Sequence, residues 1–312
     1  MTAALYLLVY ACALVLLTGC LIRAVAYARM PLHLRWELYP VPHEEPERAR
    51  HGGSYFEAPD WWTRPFRFHL LGELKVMLPE MLFLKALWEF NRPLWRVSFP
   101  FHFGLYLLIA TGGLVGLTAL AVLWIPERLA DAHLLALHYL YTATGLVGAA
   151  LALLGAAGLL VRRLRDRALR IYTAPGDLFN LACFLAAVAL LGAGYLTRGP
   201  GDPETLELAR GLLAFDLSLR PNWLQASGLA LCALLAAYIP WTHMSHFIAK
   251  YFTYHSIRWD DLPQAQAREI RHKIAQYLAY RPTWSAPHVM ADGRRTWADI
   301  ALSNPARQEV KQ

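Results

Sequence analysis

Five histidines fall within long uncharged runs of this 312-residue sequence: His102, His133, His138, His243 and His246. An ionisable side chain inside a lipid-crossing run is costly and marks a functional position. Depth separates the five. His102 lies six residues past Arg96, about 9 Å along a helix that starts at the charged edge. His246 lies four residues before Lys250, about 6 Å from the end of a helix running the other way. The two imidazoles thus reach similar depth on the same side of a membrane. One neutral imidazole from each of two facing helices is the arrangement that grips a haem b iron axially. Arg96, Lys250 and Arg258 carry positive charge where haem propionates would point. His243, three residues before His246, shares its helical face and is an alternative ligand. His255 lies beyond the run and suits solvent or propionate contact. His138 sits about 10 Å into its run from the other side. Level with it on the other runs are Tyr6, Trp124, Tyr195 and Gln225, with no His or Met. His138 could bond a quinone carbonyl, or hold a second haem with an unusual or absent partner ligand.

These residues need helices to hold them, and the sequence supplies five. Uncharged stretches run from Val97 to Pro126, Ala132 to Val161, Leu178 to Thr197 and Pro221 to Ala249. Each meets or exceeds the roughly 20 apolar residues that cross a bilayer. A fifth runs from Met1 to Ile22, is interrupted by Arg23 and closes at Arg29. Pro240 is expected to bend the last run and re-aim its final turns. With 56% hydrophobic residues, the chain reads as an all-α integral membrane protein, a bundle of five transmembrane helices. "LLTGC" (16–20) resembles a lipoprotein cleavage box, but no Lys or Arg precedes the run and apolar residues continue past it. An uncleaved anchor is expected. The four cysteines all fall in spans without CxxC spacing, as packing residues do.

Charge sorts by loop. Ten Lys or Arg lie between Arg29 and Arg96, and "RRLRDRALR" (162–170) adds five. The intervening links have only Arg128, or Arg198, Arg210 and Arg220. Positive loops stay in the cytoplasm, so the N-terminus is expected outside and the C-terminus inside. The net charge of +7 therefore reports topology and anionic lipid rather than nucleic acid. No span centre carries Asp, Glu, Lys or Arg, and no internal repeat is evident. Both points argue against a pump or ion-coupled transporter.

The chain divides into a first helix (1–29), a cytoplasmic or interfacial loop (30–96), a haem-binding bundle (97–254) and a partner-docking tail (255–312). Within the loop, "GELKVMLPEMLFLKALWEF" suggests a helix lying in the interface and broken at Pro79. The tail holds one expected helix, "PQAQAREIRHKIAQYLAY", then a stretch without helical period that would drape over a partner.

Two motifs carry a resemblance: "FPFHFGLYLLIATGG" (99–113) and "YIPWTHMSHFIAKY" (238–251). With five spans and an outside N-terminus, the chain resembles the respiratory nitrate reductase gamma subunit. It is similar also to the cytochrome b subunits of membrane heterodisulfide reductase and of the sulfite-reduction-associated quinone complex. The resemblance covers roughly residues 1–255. It implies His102 and His246, rather than His243, as axial ligands of a haem b near the cytoplasmic face. Positions that would hold a second pair of ligands are Gly112 and Gly228, so the outer site is expected to be rebuilt, with His138 the natural replacement. The long first loop and the tail look more like the branch that partners a heterodisulfide-reductase-like iron–sulfur subunit. The expected function is electron transfer between a quinone pool and that cytoplasmic subunit, in the cytoplasmic membrane of a bacterium or archaeon. A non-redox membrane anchor or assembly scaffold is the competing class.

Overall fold

The computed structural model describes residues 2–29, 70–126, 130–249, 268–285, 289 and 291–303. Among these residues all regular structure is helical. They fall into two compact units, Met1–Val25 with Glu73–Lys250, and Ala26–Gly72 with Tyr251–Gln312.

Five helices of the first unit are long and apolar enough to cross a membrane. They are α1 (Thr2–Arg29), α4 (Arg92–Trp124), α5 (Asp131–Arg165), α7 (Pro175–Leu196) and α9 (Trp223–Tyr238), the last extended to Trp241 by a 3₁₀ turn. The shorter helices are α2 (Leu70–Phe83), α3 (Lys85–Phe90), α6 (Arg167–Ile171) and α8 (Thr205–Ala214). In lipid the apolar effect does not draw helices together, so close backbone approach through small residues must do so. That is how α4 meets α5. A β-carbon added at Gly104 would strike the Ala152 nitrogen, and one at Gly155 the Phe101 nitrogen. Farther along, one at Gly158 would come within 2.7 Å of Val97. Phe101, Ala156 and Leu181 then form a core where α4, α5 and α7 meet. Phe101 meets Phe184 of α7 edge-on, 5.2 Å between ring centres. The second close pair is α7 with α9, at Gly194 and Gly228.

Two local expectations change. Pro79 sits inside α2 without ending it, and the chain turns instead at Leu84, whose φ is +52°. Tertiary bonds hold that turn: Trp95 Nε1 donates to the Phe83 carbonyl at 2.8 Å and Tyr106 Oη to that of Met81 at 2.8 Å. In the link between the fourth and fifth spans, α8 folds back onto α4. The last span does not continue as one bent α-helix to Ala249. It ends at Tyr238 and passes through 3₁₀ turns at Ile239–Trp241 and His243–Ser245. Pro240 has no N–H for the helical ladder, and Thr242 between the turns is extended, with ψ 176°.

In the second unit, α10 (Arg268–Leu278) is the expected tail helix. A further short helix, α11 (Trp297–Ala301), departs from the expected aperiodic stretch. Thr296 and Asp299 close it with a reciprocal cap. Trp297 donates its N–H to the Tyr280 carbonyl at 3.0 Å and lies 5.8 Å from the Trp284 ring.

Candidate functional site

His102 and His246 come together. Their ring centroids are 6.3 Å apart and their planes are inclined by 73°. His102 rides on α4, whose start is fixed by Asn91 accepting the Leu94 N–H at 3.2 Å. One turn before His102, buried Ser98 offers its carbonyl to Nδ1 at 2.8 Å and its hydroxyl lies 3.3 Å away. A carbonyl only accepts, so Nδ1 carries the proton and Nε2 the lone pair. The same bond forms at His246, where Nδ1 donates to the His243 carbonyl at 3.3 Å. Both rings therefore have the tautomer that ligates through Nε2, held by the kind of outer contact that orients metal-binding histidines.

His246 depends on its turn, and the turn is pinned from both sides. Ser245 Oγ donates to the Thr242 carbonyl at 2.8 Å, and Thr242 Oγ1 accepts the Met244 N–H at 3.1 Å. From α1, Arg23 Nε donates to the Pro240 carbonyl at 2.8 Å. One turn earlier, Gly19 lets α1 approach so closely that a β-carbon there would stand 2.8 Å from Pro240 Cβ. Sequence reading treated Arg23 only as an interruption of the first run. A lone arginine within an apolar run was the available signal.

His243 does not face His102. Its Nε2 lies 3.6 Å from Asp177 Oδ1 on α7, and Asp177 Oδ2 accepts from Arg163 of α5 at 3.2 Å. The face shared with His246, argued from a continuous helix, is lost in the broken one. Asp177 and Arg163 escaped notice because they stand outside the apolar runs. Arg96 is exposed at this end, while the Nε of Arg162 is buried without a hydrogen-bond partner among the described residues. Lys250, His255 and Arg258 lie outside the described residues.

The opposite end is built differently. His138 pairs through Nδ1 with the hydroxyl of buried Tyr141 at 2.9 Å, beside Tyr195, whose Oη lies 3.5 Å from Thr142 Oγ1. Of the groups level with His138, Trp124 is exposed, Tyr6 is buried, and Gln225 donates to the Pro203 carbonyl at 3.0 Å. The structure does not bring a second imidazole to His138 among the described residues. Gly112 faces open space, whereas a β-carbon at Gly228 would lie 2.7 Å from the Leu191 nitrogen. The five-turn register from His246 back to Gly228 also lapses, since the α-helix stops between them. In the loop above, Asn222 Nδ2 donates to Asp202 at 2.8 Å. That bond and the Gly199 N–H hold the Asp202 carboxyl below its ordinary pKa.

Residues 88–210 match the family model described as nitrate reductase gamma subunit. Over these residues the chain is similar to that family. The family comprises membrane cytochrome b subunits of quinone-linked electron transfer. With five apolar helices, the gamma-like chain is a multi-pass membrane protein. The matched segment includes α4, α5 and α7, and so His102 and His138. His246 lies beyond it; the fold alone pairs it with His102. No curated protein and no solved structure matches the chain.

Proposed function

We propose that this gamma-like subunit is a membrane cytochrome b that passes electrons between a quinone pool and a cytoplasmic iron–sulfur subunit. The paired imidazoles carry the proposal. Two imidazoles that would hold one metal ion through Nε2, each at about 2 Å, would have ring centres about 6 Å apart. The His102 and His246 rings stand at 6.3 Å. Two protein ligands complete an iron's coordination where a macrocycle supplies the other four. The buried Nε of Arg162 suits a haem propionate, which would satisfy an otherwise costly orphan donor.

When bound at these residues, haem b supplies a one-electron carrier. Ser98 and the His243 carbonyl hold the two imidazoles in their ligating tautomer. Arg23 and Gly19 keep the His246 turn against α1. Hydrogen bonds such as these would tune the potential of a haem so held.

The basic link at 162–170 and the charged first loop support a cytoplasmic location for this end, and hence for the iron–sulfur partner. The long loop and tail favour a heterodisulfide-reductase-like partner in a bacterial or archaeal cytoplasmic membrane. A pyridine haemochrome assay on purified chain tests the reading. Haem b should be present, and His102→Ala and His246→Ala should each remove its spectrum. Colourless protein, or a spectrum intact in both variants, would instead favour the non-redox anchor.

A further inference from the structure

The approach of His102 to His246 is not repeated at the opposite end of the bundle among the described residues. There, α8 is wedged between α1 and α4. It packs on α4, and the Tyr10 hydroxyl of α1 donates to its Leu212 carbonyl. The rings of Tyr6 and Phe215 meet at 5.9 Å, while a β-carbon at Gly211 would lie 2.8 Å from Tyr6 Oη. The other slot, between α7 and α9, is closed by main chain. A β-carbon at Gly194 would stand 2.7 Å from the Gln225 nitrogen, and one at Gly228 2.7 Å from the Leu191 nitrogen. A macrocycle about as wide as a helix cannot enter either slot without separating packed backbones.

His138 is too far away to help. It lies 17 residues before Gly155, whose place is against Phe101, next to His102. That is about 25 Å along α5. Electron tunnelling decays exponentially with distance, so a quinone beside the His102–His246 end would exchange electrons far faster than one at His138.

Resting on the cytochrome reading above, we infer that this subunit carries one haem centre and exchanges electrons with quinone at the His102–His246 end. Among the described residues, main chain fills the α7–α9 slot at the opposite end and no second imidazole joins His138. A quinol oxidised there would release two protons to the aqueous edge and pass two electrons, one at a time, to the haem that His102 and His246 would hold, with the iron–sulfur partner as the final acceptor. The aromatic edge around Phe179 and Tyr238, rings 5.9 Å apart, and the exposed Trp241 offer an apolar approach on that side.

Haem and protein are counted together on the purified, membrane-extracted chain, followed by a redox titration and by reduction with a short-chain quinol. One haem per chain, a single one-electron wave, and wild-type haem reduction in His138→Ala are expected. Two haems per chain, a second wave, or a tenfold slower reduction in His138→Ala would overturn the inference and leave the cytochrome reading standing. A ratio near zero would remove the cytochrome reading itself. Should His138→Ala not accumulate, His138→Gln serves the same comparison, because it keeps a polar partner for Tyr141.

Discussion

Arg23 Nε donates a 2.8 Å hydrogen bond to the Pro240 carbonyl, tying the first span to the turn that aims His246. That carbonyl belongs to a 3₁₀ turn, outside the regular α-helical ladder. A bond from a charged donor contributes about 1.5–3 kcal/mol. Arg23→Leu is therefore expected to loosen the turn and convert part of the haem from six-coordinate low-spin to five-coordinate high-spin. Arg23→Lys keeps a donor and should fall between the two. Visible spectra of the oxidised proteins read the difference; identical spectra in all three would separate Arg23 from the site.

His243 and His246 should part company on substitution. His246→Ala removes a ring that stands 6.3 Å from His102 and should abolish the haem spectrum. His243→Ala removes only the contact to Asp177 and keeps the main-chain carbonyl that orients His246. Its haem content should stay near wild type. The reverse ranking in a haemochrome assay would make His243 the ligand.

Helix approach predicts opposite responses from two glycines. Leucine at Gly155 would push against the Phe101 backbone, which cannot move aside as a side chain can. Overpacking of this kind costs at least about 1–3 kcal/mol. A β-carbon at Gly112 meets nothing within 4 Å, and Gly112→Leu should be tolerated. Thermal unfolding in detergent should give a clearly lower Tm for Gly155→Leu alone. Equal values would contradict the close α4–α5 contact.

Asp202 should give the opposite-end loop an acid-sensitive contribution. Its carboxyl is held below the ordinary value by Asn222, then Gly199. A group whose folded pKa is lowered contributes above its unfolded pKa, and loses that contribution as pH falls through the folded value. The Tm difference between wild type and Asp202→Asn should therefore be constant from neutrality to about pH 5 and shrink below about pH 4. A gap that persists unchanged in acid would assign the effect to shape rather than charge.

The five spans were legible because bilayer thickness imposes a length and an apolar composition that sequence displays directly. The match in depth of His102 and His246 was legible for the same reason, since helical rise converts residue number into distance from a charged edge. Rotation about each helix was not legible, because it depends on which small residues let which backbones touch. Thus only the fold turns His243 toward Asp177 and His246 toward His102. Pro240 announced an irregularity, but whether it bends a helix or ends it depends on partners such as Arg23 and Gly19, more than 200 positions away. The glycine at 228 shows the limit most clearly. By sequence it is a missing ligand; by tertiary structure it is where the α7 backbone has taken the space.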